Sequence, residues 1–190
     1  MAYKFNPEKK QKLNSDDRKK QMPPKKTLEN MLVTKNMDLL DIGAGIGYFS
    51  IPASKIVGQN GKVYAVDTSE EMLEELKQKI EEKGIENINL VKGKDYNTDI
   101  KNNNVDYIFI SNVLHEVEDK ILFLSNYLNK LRSKGKIGII EFKKIEVSKG
   151  PPIEHKISKE QLKEYFNKLD LEIIKEVDIN EIQYGIVAKK

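Results

Sequence analysis

Short apolar segments alternate with amphipathic segments along most of the chain, and this alternation predicts strands and helices in turn. The apolar segments are typical of strands, and they are residues 37–42, 62–67, 87–92, 105–110, 136–142, 171–177 and 183–188. The amphipathic segments repeat apolar residues at helical spacing, and they are residues 24–35, 48–57, 68–83, 119–132 and 158–169. Two of these helices open with predicted capping boxes, formed by Thr68 with Glu71 and by Ser158 with Gln161.

This order of elements predicts an α/β fold of the Rossmann-like, doubly wound class, with a mostly parallel seven-stranded sheet and helices on both faces. The last two strands are close together in sequence, so we expect a C-terminal antiparallel β-hairpin. Residues 23–190 are predicted to be a single domain. Residues 1–22 carry seven Lys/Arg against three acids and form a basic N-terminal arm, either solvated or acting as a lid over the ligand cleft.

A glycine-rich stretch follows the first predicted strand. Asp41 ends an apolar run, and Gly43, Gly45 and Gly47 come next at alternate positions before a helical pattern begins. Glycine permits positive φ and close approach of a ligand to the backbone, and the first amides of the helix lack internal partners. The stretch therefore predicts a nucleotide-type binding site.

Other polar residues are predicted to reach the same edge of the sheet. Asp41, Asp67, Asp95 and the segment after Ile110 all lie at or just past the carboxyl ends of predicted strands. Ligands of open α/β sheets bind at that edge, where the strand order reverses. Four separate stretches therefore converge on one site.

The residues around the glycines distinguish between nucleotides. The fingerprint for NAD is G-x-G-x-x-G, but Tyr48 stands where its third glycine would fall. Asp41, directly before the glycines, would repel a pyrophosphate and would stabilise a cation such as an ammonium or a sulfonium. An NAD(P)-dependent oxidoreductase is therefore the less favoured alternative.

Residues 41–47 resemble motif I, E/D-x-G-x-G-x-G, of the class I S-adenosylmethionine (SAM)-dependent methyltransferases. Residues 63–67 resemble the family's second motif, residues 105–115 its motif IV with a Leu-His pair, and residues 131–136 the loop into strand five. Ser133 stands where that loop more often has proline. The resemblance covers residues 24–190 and is strongest to the small type-11 and ubiquinone/menaquinone-biosynthesis-like methyltransferases.

The resemblance implies a SAM site along the carboxyl edge of the sheet. The residues for the amino-acid end of SAM and the nearby adenosine would be Asp41, Gly43, Ala44, Gly45 and Gly47. Asp67 would bind the ribose, and the residues near the adenine would be Thr68, Met72, Asp95 (or the Lys94 backbone in its place) and Tyr96. Ser111 and Asn112 would line the methyl-donor end.

A histidine and a glutamate follow motif IV. If the acceptor must lose a proton, His115 is the first candidate for a general base and Glu116 the second, because histidine titrates near neutral pH. The alternative is a loop histidine with a solvated neighbour. Asp106, inside a strand, is predicted to make a structural hydrogen bond, and His155 is predicted to lie at the surface.

Composition narrows the function further. The chain has no cysteine and two histidines, which excludes disulfides and cysteine nucleophiles, and we expect no metal. No apolar window approaches the about 18 residues of a membrane span, and no apolar signal core is present, so we expect a cytoplasmic protein. Outside the basic arm the charge is nearly balanced, which makes nucleic acid an improbable partner.

The sequence thus predicts a methyltransferase that converts SAM to S-adenosyl-L-homocysteine and methylates a small molecule, because no added domain could hold a macromolecule. We expect a monomer or a homodimer. A non-catalytic SAM-binding or regulatory protein stays open as the alternative. The acceptor and the atom that is methylated are not specified by any motif.

Overall fold

The computed structural model describes residues 15–94, 96–147 and 150–190. Its strands are β1 (Leu39–Ile42), β2 (Val63–Asp67), β3 (Ile88–Lys92), β4 (Val105–Ser111), β5 (Leu131–Phe142), β6 (Glu172–Asn180) and β7 (Gln183–Lys189). Its helices are α1 (Asp16–Gln21), α2 (Pro24–Asn30), α3 (Ser50–Val57), α4 (Glu70–Glu82), α5 (Lys120–Leu128) and α6 (Lys159–Lys168). Two short 3-10 turns, Leu114–Glu116 and Ile153–His155, follow β4 and β5.

The strands form one seven-stranded sheet in the order β3-β2-β1-β4-β5-β7-β6. β1 to β5 are parallel, and β7 runs antiparallel to both β5 and β6. This arrangement confirms the predicted fold class, including the C-terminal hairpin. The order reverses between β1 and β4, so the carboxyl ends of these two strands open the crevice in which ligands of such sheets bind.

Both faces of the sheet are covered by helices. Phe123 of α5 and Phe166 of α6 belong to the apolar cluster on one face, and Leu28 of α2, Ala53 of α3 and Leu76 of α4 belong to the cluster on the other. β4 contributes to both clusters by alternate residues. Its nearly continuous apolar sequence is therefore explained by burial on both faces.

The predicted start of α4 is wrong by one residue. The N-cap is Ser69, whose hydroxyl accepts a hydrogen bond from the Met72 amide (3.3 Å), and not Thr68, which is exposed. The Ser69 amide in turn donates to Asp67 Oδ1 (2.8 Å). The carboxylate at the end of β2 thus holds the chain entering the helix. The other capping box, Ser158 with Gln161, is confirmed.

The boundary between α5 and β5 also differs from the prediction. The helix ends at Leu128 and the strand begins at Leu131, because Leu131 already pairs with Val105 of β4. The pairing then shifts, so that Lys136 opposes Tyr107. Across this bulge, Arg132 donates to Asp106 (2.7 Å) and to Asp38 (2.8 Å). Asp106 therefore makes the predicted structural hydrogen bond.

Candidate functional site

The glycine turn between β1 and α3 takes a left-handed backbone at all three glycines, with φ of 73° at Gly43, 52° at Gly45 and 85° at Gly47. A Cβ on Gly43 would lie 2.2 Å from Val113 Cγ2. The Gly43 amide donates to the Val66 carbonyl (2.8 Å). The turn is therefore pressed between the end of β2 and the segment after β4, and only glycine fits there.

Asp41, at the end of β1, is a buried carboxylate with a neutral partner. It is 3% exposed, and the Ser50 hydroxyl donates to its Oδ2 (2.5 Å). Burial raises the pKa of Asp41 to about 7; the charge of Asp67 adds to this rise, and the hydrogen bond from Ser50 opposes it. A cation placed beside Asp41 would favour its ionised form.

Arg18 of α1 is a site residue that the sequence reasoning missed. Its guanidinium lies 4.1 Å from the centroid of the Tyr48 ring, and its charge lowers the pKa of Asp41 against the rise caused by burial. The Tyr48 hydroxyl donates to the Met22 carbonyl (2.7 Å), and Met22 is buried. One signal was available: Arg18 is one of only two arginines in the chain, and the other is the structural Arg132.

Asp67 is joined directly to the glycine turn. Its Oδ2 accepts a hydrogen bond from the Gly45 amide (2.7 Å), while its Oδ1 accepts from Ser69, so the carboxylate is fixed at the end of β2. The flanking Thr68 is exposed, and Met72 is buried at the start of α4. The structure thus brings together the predicted residues of the first two motifs.

The residues predicted beside the adenine differ in their surroundings. Lys94 is exposed, and its ammonium lies 3.1 Å from Asp99. Asp95 lies outside the described residues. The Tyr96 hydroxyl accepts from the Asp119 amide (3.2 Å), and its ring packs edge-on against Phe123, 6.0 Å between centroids. Tyr96 therefore contacts the start of α5.

Ser111 and Asn112 lie at the end of β4, where a network of amides holds them. The Asn112 side chain donates to the Ser111 hydroxyl (3.4 Å), and the Gln183 amide donates to Asn112 Oδ1 (2.8 Å). Asn180 donates both to Gln183 (3.0 Å) and to the Gln21 carbonyl (3.3 Å). The end of β4 is thereby linked through the C-terminal hairpin to α1.

His115 is bound to a second residue that the sequence reasoning missed, Glu141 of β5. The Glu141 carboxylate is fully buried; one oxygen lies 2.8 Å from His115 Nδ1, and the other accepts from the His115 amide (3.2 Å). Burial lowers the pKa of His115, but the hydrogen bond and charge of Glu141, with the charge of Glu116, raise it overall. The sequence signal for Glu141 is an acid near the end of an apolar strand, as at Asp41 and Asp67.

The ring of His115 has a defined orientation. With Nδ1 on Glu141, its Nε2 is the other ring nitrogen and lies 3.9 Å from Glu116 Oε1. The Phe142 ring packs edge-on against the imidazole at 5.7 Å. Both predicted catalytic residues therefore lie together just past β4.

His115 also lines a cleft of about 280 Å³ at the carboxyl edge of the sheet. Its walls come from the turn after β4, the segment after β5 and the first turns of α6; the lining residues are His115, Val117, Glu118, Lys120, Lys144, Glu154, His155, Lys156, Ile157, Gln161 and Tyr165. His155 is half-buried there. It therefore lines the same surface cleft as His115.

No group of three or more His, Asp or Glu side chains that could hold a metal ion occurs within the ranges that the structure describes. In the same ranges, no helix has the length and apolar character needed to cross a membrane.

Comparison with known proteins gives consistent matches. A family described as "Methyltransferase domain" matches residues 33–183. The demethylmenaquinone methyltransferase of Staphylococcus aureus (strain MRSA252) is 34% identical over 117 residues, which are 62% of this chain and 48% of that protein. The chain spans about half the length of the curated relatives it matches.

Two solved structures show how far the likeness extends. A SAM-dependent methyltransferase from Aquifex aeolicus superposes with a TM-score of 0.92 at 30% identity, covering 98% of this chain and 99% of that one. The [4+2]-cyclase SpnF superposes with a TM-score of 0.74 at 15% identity, covering 86% of this chain and 78% of that one. The second likeness shows the fold alone.

Proposed function

Because the chain belongs to the class I SAM-dependent methyltransferase family, we propose that it transfers the methyl group of SAM to a small-molecule acceptor and releases S-adenosyl-L-homocysteine. SAM, when bound, supplies a methyl group already activated on a sulfonium, so positioning is the main task left to the protein.

The observation that carries the proposal is the pair of opposite charges beside the glycine turn. Asp41 is a buried carboxylate without a cationic hydrogen-bond partner among the described residues, and Arg18 supplies a guanidinium close enough to influence its pKa. An amino-acid group carries one ammonium and one carboxylate. Asp41 would bind the ammonium of SAM, and Arg18 would bind its carboxylate, by charge-assisted hydrogen bonds.

The remaining cofactor contacts follow the carboxyl edge. The backbone at Gly43, Ala44 and Gly45 would hold the amino-acid end. Each oxygen of a carboxylate has more than one lone pair, so Asp67 can accept from the ribose hydroxyls while it holds the turn. The other residues proposed along SAM are Gly47, Thr68, Met72, Lys94, Asp95, Tyr96, Ser111 and Asn112.

We propose that His115 accepts a proton from the acceptor when the reaction requires it, with Glu116 as the second candidate. The contact between Nδ1 and Glu141 supports this role, because it fixes the ring and leaves Nε2, on the side of Glu116, as the nitrogen that is not bound to Glu141. A base orientated by a buried carboxylate is a recurrent catalytic arrangement.

The basic arm is proposed to act as a lid over the amino-acid end of SAM. Only its part from residue 15 onward is described. That part contacts the site through Arg18 on Tyr48, through the buried Met22, and through the Gln21 carbonyl on Asn180. A cytoplasmic location, a monomeric or homodimeric state, and the absence of metal and nucleic acid from the reaction stay predictions.

Titration calorimetry with SAM, S-adenosyl-L-homocysteine and NAD tests the proposal. We expect the first two to bind and NAD to give no heat, and the reverse result would contradict the proposal. Mass spectrometry of candidate acceptors after incubation with SAM then separates a methyltransferase from a non-catalytic SAM-binding protein, since only the former yields a product heavier by one methyl group.

A further inference from the structure

Three lysines converge on the cleft that His115 lines. Lys156 is only 3% exposed, and its ammonium donates to the Ile145 carbonyl (2.7 Å). The Lys120 ammonium donates to the Val117 carbonyl (2.7 Å), and that of Lys144 to the Gln161 side-chain oxygen (3.5 Å). Each cation is thus held by a neutral oxygen.

None of these three ammonium groups forms an ion pair with a carboxylate belonging to residues 15–94, 96–147 or 150–190. The two acids that line the cleft, Glu118 and Glu154, are exposed at its rim. A buried ammonium is costly unless a negative charge compensates it. The deep part of the cleft therefore carries more positive than negative charge, and each lysine has donors left for a ligand.

The charge of Lys120 is likewise not balanced by a contacting carboxylate within the described part of the chain. Burial lowers its pKa, against the opposing influence of Glu141 and Asp119. Glu141 acts on Lys120 only at a distance, because its two oxygens are hydrogen-bonded by His115 and contact none of the three lysines. An anion entering the cleft would relieve the cost of burying Lys120 and Lys156.

The cleft lies where an acceptor is needed. It opens beside the segment that continues from Ser111 and Asn112, and His115 forms one of its walls. Ile157, Val117 and Tyr165 add apolar and aromatic surface to the polar groups. Its volume of about 280 Å³ suits a small organic molecule.

We propose that this cleft is the acceptor site and that it binds the acceptor through an anionic group, a carboxylate or a phosphate ester, held by Lys156 and Lys120. The inference rests on the proposed methyltransferase function and names the substrate class for it. The anionic group binds at the lysines, and the reactive part of the acceptor faces His115.

Histidine side chains in the cleft can report on ligand binding. The chain contains two histidines, and both line the cleft, so their ring signals in NMR spectra report on its occupation. Benzoate, phenyl phosphate and the neutral analogue benzamide are titrated into the protein. The two anions distinguish a carboxylate ligand from a phosphate ester. Binding of SAM is measured separately by calorimetry.

The variants are Lys156→Gln and Lys120→Gln, with Lys101→Gln as the matched control because Lys101 is exposed and lies outside the cleft. We expect at least one anion to shift both histidine signals and benzamide to shift neither. Each cleft variant should weaken anion binding by about tenfold, the loss typical of one hydrogen bond between charged groups. The control should stay within about twofold of the wild type, well inside that tenfold change.

Three outcomes would overturn the inference: neither anion shifts the histidine signals, benzamide binds as tightly as benzoate, or both cleft variants bind the anions as the wild type does. Thermal unfolding is recorded for each variant, and if one lysine variant does not fold, the other decides. Failure of SAM to bind would contradict the proposed function and not the anion site, so the two failures are distinguishable.

Discussion

Two buried carboxylates, at the ends of β1 and β5, differ in the partner that the chain gives them. Asp41 accepts a hydrogen bond from the neutral Ser50 hydroxyl, and burial raises its pKa to about 7. Glu141 is bound on both oxygens by His115, a group that can carry a positive charge. The first carboxylate therefore lacks a tight internal counter-ion, and the second has one.

This difference separates the two halves of the site. On the β1 and β2 side, the protein presents the Asp41 carboxylate, whose charge a ligand must balance, as expected for a pocket that binds a cationic cofactor. On the β4 and β5 side, the charge of Glu141 is used internally, to orient the His115 ring. Under the proposed function, the same residue chemistry serves binding in one half and positioning in the other.

The largest expected effect concerns the β4 and β5 half. His115→Ala should lower the rate of S-adenosyl-L-homocysteine formation with the acceptor by about 100-fold or more, the usual contribution of a general base. The affinity for SAM should stay within about twofold, a change of less than one hydrogen bond. Steady-state kinetics and calorimetry measure the two quantities. An unchanged rate with a competent acceptor would remove His115 from the mechanism.

Glu141→Gln tests whether the carboxylate acts through His115. Because Glu141 raises the pKa of His115, its loss should lower that pKa and move the acid limb of the pH–rate profile to lower pH. A purely structural role would reduce the rate without moving this limb. Lys163→Gln, on α6 and outside the cleft that His115 lines, is the control and should leave the profile in place.

The second effect concerns the β1 half. Asp41→Asn should weaken SAM binding by about 30-fold, since it removes the charge from one charge-assisted hydrogen bond. Glu141→Gln should leave SAM affinity unchanged. Calorimetry on both variants gives the comparison directly. Equal losses in the two variants would show that the two carboxylates do not divide the site as we argue.

The same pair of variants should change stability in opposite directions. The pKa of Asp41 rises from 3.8 to about 7 on folding, so between these values the folded state binds more protons and the wild type loses stability as pH increases. The total loss is about 4 kcal/mol, of which about 2.6 kcal/mol falls between pH 5 and pH 8, and Asp41→Asn lacks it. Glu141→Gln should instead lower the free energy of unfolding by about 2 kcal/mol. Urea unfolding at pH 5 and pH 8 measures both.

The two halves of the site also differ in how well the sequence predicts them. The β1 half depends on short-range features, namely an acid, three glycines with positive φ and a second acid at the next strand, and all of these are visible in the motif. The β4 and β5 half depends on contacts between distant segments. Glu141 lies 26 positions from His115, and no spacing rule connects them.

Arg18, near the N-terminal end of the chain, shows the same limit of prediction from local sequence. Its contact with Tyr48 requires α1 to fold back over the glycine turn, which local periodicity does not encode. The N-cap of α4 was misplaced for a related reason, because Asp67 holds the Ser69 amide and makes Ser69 the cap. The element types from α2 to β7 and the antiparallel pairing of the last two strands were predicted correctly, since apolar periodicity and a short connection indicate them.

The third effect tests Arg18 as the partner of the SAM carboxylate. Arg18→Gln should weaken SAM binding by about tenfold through loss of a charged hydrogen bond. Lys20→Gln, on the same helix and exposed, is the matched control and should change little. Adenosine lacks the amino-acid group, so its affinity should be the same in both variants. A tenfold loss for adenosine would indicate that Arg18 acts only through the position of α1.

The smallest effect is a dependence of SAM binding on pH. Since Asp41 titrates at about 7 in the free protein and must be ionised to bind an ammonium, binding should release a proton near neutral pH. Relative to Asp41→Asn, affinity should rise about twofold from pH 7 to pH 8, as the ionised fraction of Asp41 goes from one half towards completion. The amino group of SAM titrates equally in every variant, so Asp41→Asn provides the baseline. Calorimetry in buffers of different ionisation enthalpy counts the proton, and equal proton release in both proteins would mean that Asp41 does not bind the ammonium.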